Sequence, residues 1–360
     1  MKVFHCDHCD ALVFFENVQC VSCGYPLAFL PDVCSVGALE HTPDAPWFTR
    51  ASPSEKSTAR YRLCANYLAH NVCNWAVEEG DANVLCRSCR LTSVIPDLSD
   101  SSQRVNWAKL ETAKRRLVYT LMQLRLPLAS KHEDHERGLT FEFKAPMLYA
   151  PPVLTGHANG VITINANEAD DAERERVRNQ LHEPYRTLLG HLRHEVGHYY
   201  WDRLIANTDR LADFRALFGD DRQDYGEALQ RHYDNGPPPD WQQQFVSSYS
   251  TAHAWEDWAE TWAHYLHMYD TLDTAAACGL MLRPHRADEP SLNAPLPNPE
   301  QSEFGLMIAN WLALTYAMNN LNRGLGQADA YPFVLSPAAI AKLRFVHETV
   351  RASSAARVAQ

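Results

Sequence analysis

The chain has 360 residues, of which 46% are hydrophobic and 21% are charged, as is usual for globular proteins. Its net charge of −11 makes it a poor general ligand for nucleic acids and anionic membranes. Its sequence contains no apolar run near the roughly 20 residues that a membrane span needs, so we expect no membrane partner. This length predicts two or three domains with a sizeable core.

Cysteine use divides the chain into two parts. Nine of the ten cysteines lie before residue 90. The first ten residues carry Cys and His where a signal peptide has an apolar stretch, which predicts a cytoplasmic protein. In a reducing compartment, paired cysteines bind metal more often than they form disulfides. We therefore predict a zinc-ribbon region over residues 1–100 and a second domain over residues 101–360.

The first metal site is predicted from two C-x2-C pairs, Cys6 with Cys9 and Cys20 with Cys23. Each pair forms a tight knuckle, and two knuckles supply four thiolates in a tetrahedron around zinc. A four-coordinate site without an open position is structural. It stabilises a segment that is too short to build a large core.

A second four-thiolate site is predicted further along the chain. Its four ligands would be Cys64, Cys73, Cys86 and Cys89. Disulfides and redox chemistry are the alternatives, but several knuckles together favour structural zinc. Cys34 and Cys278 lie outside this scheme, and we expect both to be packed, reduced thiols.

The charge of the first 100 residues bears on possible partners. Seven Lys and Arg residues stand against twelve Asp and Glu residues, and each four-thiolate zinc centre adds about two negative charges. Attraction to a phosphate backbone is therefore weak. This balance favours a protein partner or substrate presentation over nucleic-acid binding.

Residues 96–100 predict a linker that ends in a helix N-cap. Apolar residues then recur at helical spacing over residues 107–124, with Lys109, Lys114 and Arg115 predicted to face away from the core. Residues 139–144 and 160–165 alternate as half-buried strands do. Helical patterns dominate from residue 171 onward, with a break at residues 235–240. The sequence thus predicts an α+β fold: a small, β- and loop-rich zinc-ribbon region, then a mostly helical domain with a small sheet.

An HExxH segment, residues 194–198, carries the predicted chemistry. On a helix, His194 and His198 lie one turn apart on the same face, so both imidazoles reach one metal ion. Neutral imidazole is a good zinc ligand. Glu195 is placed to take a proton from a zinc-bound water, whose pKa falls to about 7. Gly197 allows a neighbouring backbone to approach closely.

The third ligand is sought in the tryptophan-rich segment 253–267. On a helix, one polar stripe is formed by His253, Glu256, Glu260, His264 and His267. Buried carboxylates normally need a cation, which a metal supplies. The alternative interpretation is that this polar stripe is the solvent-exposed face of an amphipathic helix. His191, one turn before His194, is a weaker ligand candidate.

Five side chains are candidate donors to the oxyanion of the transition state: His253 and Tyr249, which we place first, and His264, Tyr199 and Tyr200.

The two motifs together resemble those of the thermolysin-like zincins. The resemblance implies Glu256 as the third ligand and Glu260 as the acid that orients His194 or His198. The gap of 58 residues from His198 to Glu256 is longer than in thermolysin, which leaves Glu260 as an alternative ligand. The resemblance also implies that residues 160–165 form the strand along which an extended substrate binds.

Nearly the whole chain resembles a bacterial family of zinc-binding metallopeptidases with an N-terminal zinc ribbon. The segments that carry the resemblance are the paired knuckles and residues 86–91, 95–98, 192–201, 255–261 and 331–337. It implies a zincin-like (gluzincin) peptidase with one catalytic and two structural zinc ions. The alternatives are a non-catalytic zinc-binding adaptor and a regulatory peptidase for a single protein partner. Expected partners are a peptide or protein substrate and a protein that contacts the ribbons.

Overall fold

Strands dominate the first hundred residues and helices the remainder. The computed structural model describes residues 3–44, 46–52, 58–146, 149, 151–180, 183, 185–292 and 303–358. The strands are β1 (Phe4–His5), β2 (Leu12–Val13), β3 (Leu27–Leu30), β4 (Ser35–His41), β5 (Phe48–Arg50), β6 (Arg60–Leu63), β7 (Ala76–Glu78), β8 (Thr92–Val94), β9 (Thr140–Lys144), β10 (Gly156–Ala158) and β11 (Val161–Asn165). The helices are α1 (Ala65–His70), α2 (Ser101–Gln123), α3 (Asp171–Gln180), α4 (Leu188–Leu204), α5 (Leu211–Phe218), α6 (Tyr225–Asn235), α7 (Ala254–Ala277), α8 (Phe304–Gly324) and α9 (Pro337–Val358). The predicted α+β class, with strands and cysteine clusters before a mostly helical part, is confirmed.

An antiparallel meander of five strands, β3 to β7 in sequence order, forms the N-terminal sheet. A bridge between Phe29 and Trp75 joins the beginning of the meander to its end, so the sheet curls back on itself. Leu30, Leu39 and Tyr61 pack in its interior. β1 and β2 form a separate hairpin.

Helix α2 begins where the linker pattern predicted, since Asp100 Oδ1 accepts the Ser102 N–H at 2.8 Å. The prediction that Lys114 and Arg115 face away from the core is wrong. Lys114 is fully buried and pairs with Glu111 at 2.9 Å, and Arg115 donates to the backbone carbonyl of Val72. A buried cation is tolerated because these partners replace its water.

The second sheet has the strand order β10–β11–β9–β8, with β8 parallel to β9. β9 alternates in burial from Phe141 to Lys144 as its sequence predicted, but Thr140, predicted to lie on the exposed face, is buried. Asn159 and Gly160 separate β10 from β11, both at positive φ (50° and 79°), as a two-residue hairpin turn requires. This turn folds residues 156–158 back alongside β11.

The chain divides into two compact units. Unit 1 comprises residues 1–119, 129–155 and 163–173, and unit 2 comprises residues 120–128, 156–162 and 174–360. The domain boundary at residues 100 and 101 stays a prediction. None of the helices within the described ranges combines the length and hydrophobicity that a bilayer span requires.

The core of unit 2 lies around α7, which packs along α4 and also contacts α5, α8 and α9. Large rings fill this core, among them Trp258, Trp262 and Tyr265. Lys342 on α9 and Asp257 on α7 form a buried ion pair, with 2.6 Å between Nζ and Oδ2. These contacts fix the axis of α7 relative to α4, and both helices carry residues of the predicted site.

Candidate metal centres

Helix α4 presents the HExxH segment on its buried side. Thr187 caps the helix by accepting the Gly190 N–H at 3.0 Å. At Gly197 a β-carbon would lie 3.0 Å from the Ala259 Cα and 3.2 Å from the Ala259 carbonyl oxygen. The predicted close backbone approach at Gly197 is therefore confirmed, and its partner is α7.

Helix α7 begins at Ala254, directly after the residue that caps it. His253 Nδ1 accepts the Trp255 N–H at 3.0 Å, and this cap lies three residues before Glu256. The Trp258 indole N–H donates to the Gly197 carbonyl at 2.8 Å and ties the two helices together. Glu256 thus lies in the first turn of α7, directly opposite the imidazoles of α4.

Three predicted ligands converge on one point. His194 Nε2 lies 3.0 Å from Glu256 Oε2, and His198 Nε2 lies 3.5 Å from Glu256 Oε1. One ligand atom from each residue lies within 4.8 Å of the other two. Glu260, one turn further along α7, lies 2.7 Å from the other ring nitrogen of His194, Nδ1. The 57 residues between His198 and Glu256 include α5 and α6, which accounts for the long gap.

The unsatisfied atoms in this group fit a bound cation. Within the described ranges, Glu195 Oε2 and Glu256 Oε2 are buried without a partner in hydrogen-bond geometry. Burying unpaired carboxylate oxygens is costly, and a divalent cation between them removes that cost. Two imidazoles and one carboxylate form a three-residue donor set that suits zinc and leaves a position open.

Burial and charge act in opposite directions on the acids and bases here. Burial raises the pKa of the Glu195 carboxyl, and the neighbouring His194 and His198 lower it less. Burial lowers the pKa of His194, but Glu256 and Glu260 outweigh this effect and raise it overall. Glu195 therefore has a greater proton affinity than an exposed glutamate, as suits a group that accepts a proton from water.

The predicted oxyanion donors lie in different surroundings. Both ring nitrogens of His253 face backbone groups, the Trp255 N–H and, at 3.2 Å, the Gln223 carbonyl. His264 lies 2.7 Å from the Tyr331 hydroxyl, and burial lowers its pKa to about 4. The remaining candidates are three tyrosines. Tyr200 donates to the Pro127 carbonyl at 2.8 Å, the Tyr199 ring lies 6.4 Å from that of His157, and the Tyr249 ring lies 6.0 Å from that of His194.

Sequence reasoning missed Tyr225, whose hydroxyl donates to Glu256 Oε1 at 2.6 Å. Tyr225 is the first residue of α6, and Asp224 caps that helix by accepting the Glu227 N–H at 2.8 Å. The capping pattern predicts the start of a helix. It does not predict that this helix begins beside α7, so the sequence carried no signal for the contact.

Two further aromatic rings, those of Trp255 and His157, lie near His198. The Trp255 ring centroid lies 3.8 Å from that of His198, and the His157 ring lies 6.1 Å from Trp255. His157 belongs to β10, which packs beside α4. The expectation that residues 160–165 form the substrate-binding edge is wrong. β11 is paired on both sides, and the tight turn at Asn159 and Gly160 makes β10 the end strand.

The first cysteine cluster brings together the four residues that its knuckles predicted. The Sγ atoms of Cys6 and Cys23 are 3.7 Å apart, as are those of Cys9 and Cys20. Zn–S bonds of about 2.3 Å in a tetrahedron place sulfurs about 3.8 Å apart, whereas a disulfide needs about 2.0 Å. Cys6 and Cys20 are buried, but Cys9 is exposed.

The second cluster gathers Cys64, Cys73, Cys86 and Cys89, all of them buried. Cys73 and Cys86 are 3.7 Å apart, again the spacing of zinc thiolates. Backbone N–H groups point at the sulfurs, such as that of Cys86 at Cys64 Sγ, 3.3 Å away, and such donors stabilise thiolates. Of the two remaining cysteines, Cys278 is exposed, so its expected packing is wrong. It follows the last turn of α7, where that helix leaves the core.

Comparisons with known proteins agree with this division into cysteine clusters and a helical site. Residues 3–100 match a zinc-ribbon domain, and residues 103–349 match the family described as "Putative zinc-binding metallo-peptidase". The uncharacterized proteins Mb2598c of Mycobacterium bovis and Rv2568c of Mycobacterium tuberculosis are each 45% identical over 352 residues, which cover 97% of this chain and 95% of theirs. No solved structure matches the chain. The match over residues 103–349 places this chain in that family of zinc-binding metallopeptidases, with a zinc-ribbon domain at its N-terminus.

Proposed function

We propose that the chain is a zinc-dependent, gluzincin-like peptidase whose zinc is held by His194, His198 and Glu256. The observation that carries the proposal is the convergence of these three side chains within 4.8 Å, with Glu195 buried beside them. The family assignment supports zinc binding. Hydrolysis of a peptide bond is our inference from the arrangement of the four residues.

Each residue has a distinct role in the proposal. Zinc bound here would supply Lewis acidity and lower the pKa of water to about 7. Glu195 is placed to take up a proton from water at this position and would return it to the leaving amine of the substrate. Glu260 holds Nδ1 of His194, so that Nε2 of the same ring faces Glu256 and would be the nitrogen that binds zinc. β10 offers its edge to an extended substrate, since it ends the strand order beside α4.

Tyr249 is the proposed donor to the developing oxyanion. Its ring lies 6.0 Å from that of His194. Burial, followed by the Glu256 charge, raises the pKa of Tyr249, so its hydroxyl keeps its proton at neutral pH. The contribution of His253 stays a prediction, and its hydrogen bonds support a capping role. Removing one such donor typically lowers kcat by about 10²- to 10³-fold.

The two cysteine clusters complete a proposed stoichiometry of three zinc ions per chain, two structural and one catalytic. Each cluster has four cysteines, which would fill all four coordination positions of a zinc ion and leave none for a substrate. Their role is to stabilise the N-terminal region.

The test is the Glu195→Gln variant, compared with Glu348→Gln on the exposed face of α9. Cleavage of a broad peptide library is measured at full zinc occupancy. We expect Glu195→Gln to keep its zinc and lose about 10²- to 10⁴-fold in rate, and Glu348→Gln to match the parent. Cleavage by Glu195→Gln at the parental rate shows that the base is another residue. A zinc-loaded parent that cleaves no peptide favours the non-catalytic adaptor.

A further inference from the structure

The two oxygens of the Glu256 carboxylate lie in different surroundings. Oε1 accepts the Tyr225 hydroxyl at 2.6 Å. Oε2 is buried and, in the described part of the chain, has no donor in hydrogen-bond geometry, although His194 Nε2 is only 3.0 Å away. Oε1 therefore already accepts a hydrogen bond, whereas the lone pairs of Oε2 are directed toward the imidazoles.

This asymmetry affects how the carboxylate can bind a metal. Carboxylates bind metal ions through one oxygen or both, and a hydrogen-bond donor on one oxygen makes that oxygen a poorer ligand. We propose that Tyr225 is a positioning residue that restricts Glu256 to binding a metal ion through Oε2. This inference rests on the proposed function, in which zinc occupies this site. One-oxygen ligation would limit zinc to three protein donor atoms and so preserve the open position.

Tyr225 is held in place by the same turn of α7 that carries Glu256. Its ring packs edge-on against His253 at 5.4 Å and against Trp255 at 5.6 Å. Its backbone position is set by the Asp224 cap at the start of α6. The hydroxyl is thus directed at Oε1 by packing on one side and by a helix start on the other.

Helix α6 is also attached through His232, whose Nδ1 lies 3.1 Å from Thr251 Oγ1 and whose ring lies 5.9 Å from that of Tyr249. Ala228 is its one buried residue, and α6 packs extensively against none of the other helices and strands within the described ranges. Gly219 and Gly236, on either side of the segment, have positive φ angles of 102° and 72°. The hydrogen bond from Tyr225 joins α6 directly to Glu256, a proposed metal ligand.

The experiment compares Tyr225→Phe with Tyr316→Phe, a control at an exposed tyrosine of α8. Zinc is removed from the His194–His198–Glu256 site by mild chelation and titrated back against a competing chelator, with the thiolate sites still filled. We expect the zinc Kd of Tyr225→Phe to rise about tenfold, the size of effect typical for partners of metal ligands. The control should match the parent. A Kd for Tyr225→Phe within twofold of the parent overturns the proposal.

A second readout is the visible spectrum after cobalt replaces zinc in the same site. Four-coordinate cobalt absorbs far more strongly than five- or six-coordinate cobalt. We expect Tyr225→Phe to lose intensity as Glu256 binds through both oxygens, and an unchanged spectrum contradicts that. Neither readout needs a substrate. A parent that binds zinc but cleaves nothing refutes the peptidase alone, whereas a parent site that binds no zinc refutes both.

Discussion

Gly197 on α4 lies against the backbone of Ala259 on α7, with space for hydrogen but not for a methyl group. A β-carbon there would lie 3.0 Å from the Ala259 Cα and 3.2 Å from the Trp262 Cβ. Gly197 immediately precedes His198, and Ala259 lies three residues beyond Glu256. The contact thus sets the helix spacing at which the imidazoles and the carboxylate share one point.

Gly197→Ala tests this spacing. We expect it to destabilise the protein by about 1–3 kcal/mol, because a rigid backbone and the base of a tryptophan would have to move. Weaker zinc binding should accompany this loss, since the ligands on the two helices separate. The control is Gly305→Ala on α8, where an added β-carbon meets nothing within 4 Å. Denaturant unfolding measures both, and equal stability for the two variants contradicts the tight contact.

Glu260→Gln tests the orientation of His194. The carboxylate lies 2.7 Å from His194 Nδ1, and a neutral amide there is a weaker acceptor. We expect zinc affinity to fall by about 10- to 100-fold. The matched control is Glu227→Gln on α6, whose side chain is largely exposed. Chelator competition gives both affinities. If the Glu260 variant binds zinc as tightly as its control, His194 is oriented by other contacts.

The three zinc ions should leave in a fixed order under chelation. The open His–Glu site should empty first, and the first cysteine cluster, with Cys9 exposed, should follow. The second cluster should empty last because all four of its sulfurs are buried. Native mass spectrometry during a chelation time course counts the ions, and Cys9→Ser and Cys73→Ser identify which cluster each belongs to. Release from the second cluster before the first is the contrary result.

Buried neutral histidines should make the fold sensitive to acid. Burial lowers the pKa of His347 to about 4 and that of His267 to about 3. Below pH 6.5 the unfolded chain binds protons that the folded chain excludes, so stability falls as the pH drops from 6.5 toward 4. Each histidine contributes about 1.4 kcal/mol per pH unit in that window.

His347→Gln isolates one part of this effect, because glutamine does not titrate. The stability difference between pH 7 and pH 5 should be smaller in this variant than in the parent. The exposed His285→Gln variant should retain the parental difference. Thermal unfolding at both pH values measures it. An identical pH dependence in parent and His347→Gln means that other groups control acid unfolding.

Local patterns predicted the parts of the site that lie on single elements. The spacing of His194 and His198 places both imidazoles on one face of a helix wherever that helix packs, because the α-helical repeat is 3.6 residues. The C-x2-C pairs are equally local. The capping pattern predicted that α2 begins at Ser101, and the alternation of apolar and polar residues predicted β9. The α+β class followed from these signals.

Contacts between distant segments were decided only by the tertiary structure. Whether Glu256 or Glu260 faces Nε2 of His194 depends on the rotation and height of α7 against α4, which the close contact at Gly197 sets. The approach of Tyr225, 31 residues before Glu256, depends on where α6 begins. Glu111 lies one turn before Lys114 on α2, but the burial of Lys114 also depends on Thr92 of β8, to which it donates, and helical periodicity cannot place that strand. The sequence determined which residue types bind metal and their local spacing. Packing decided which side chains meet, because long-range contacts depend on the shapes of whole elements and leave no periodic pattern in the chain.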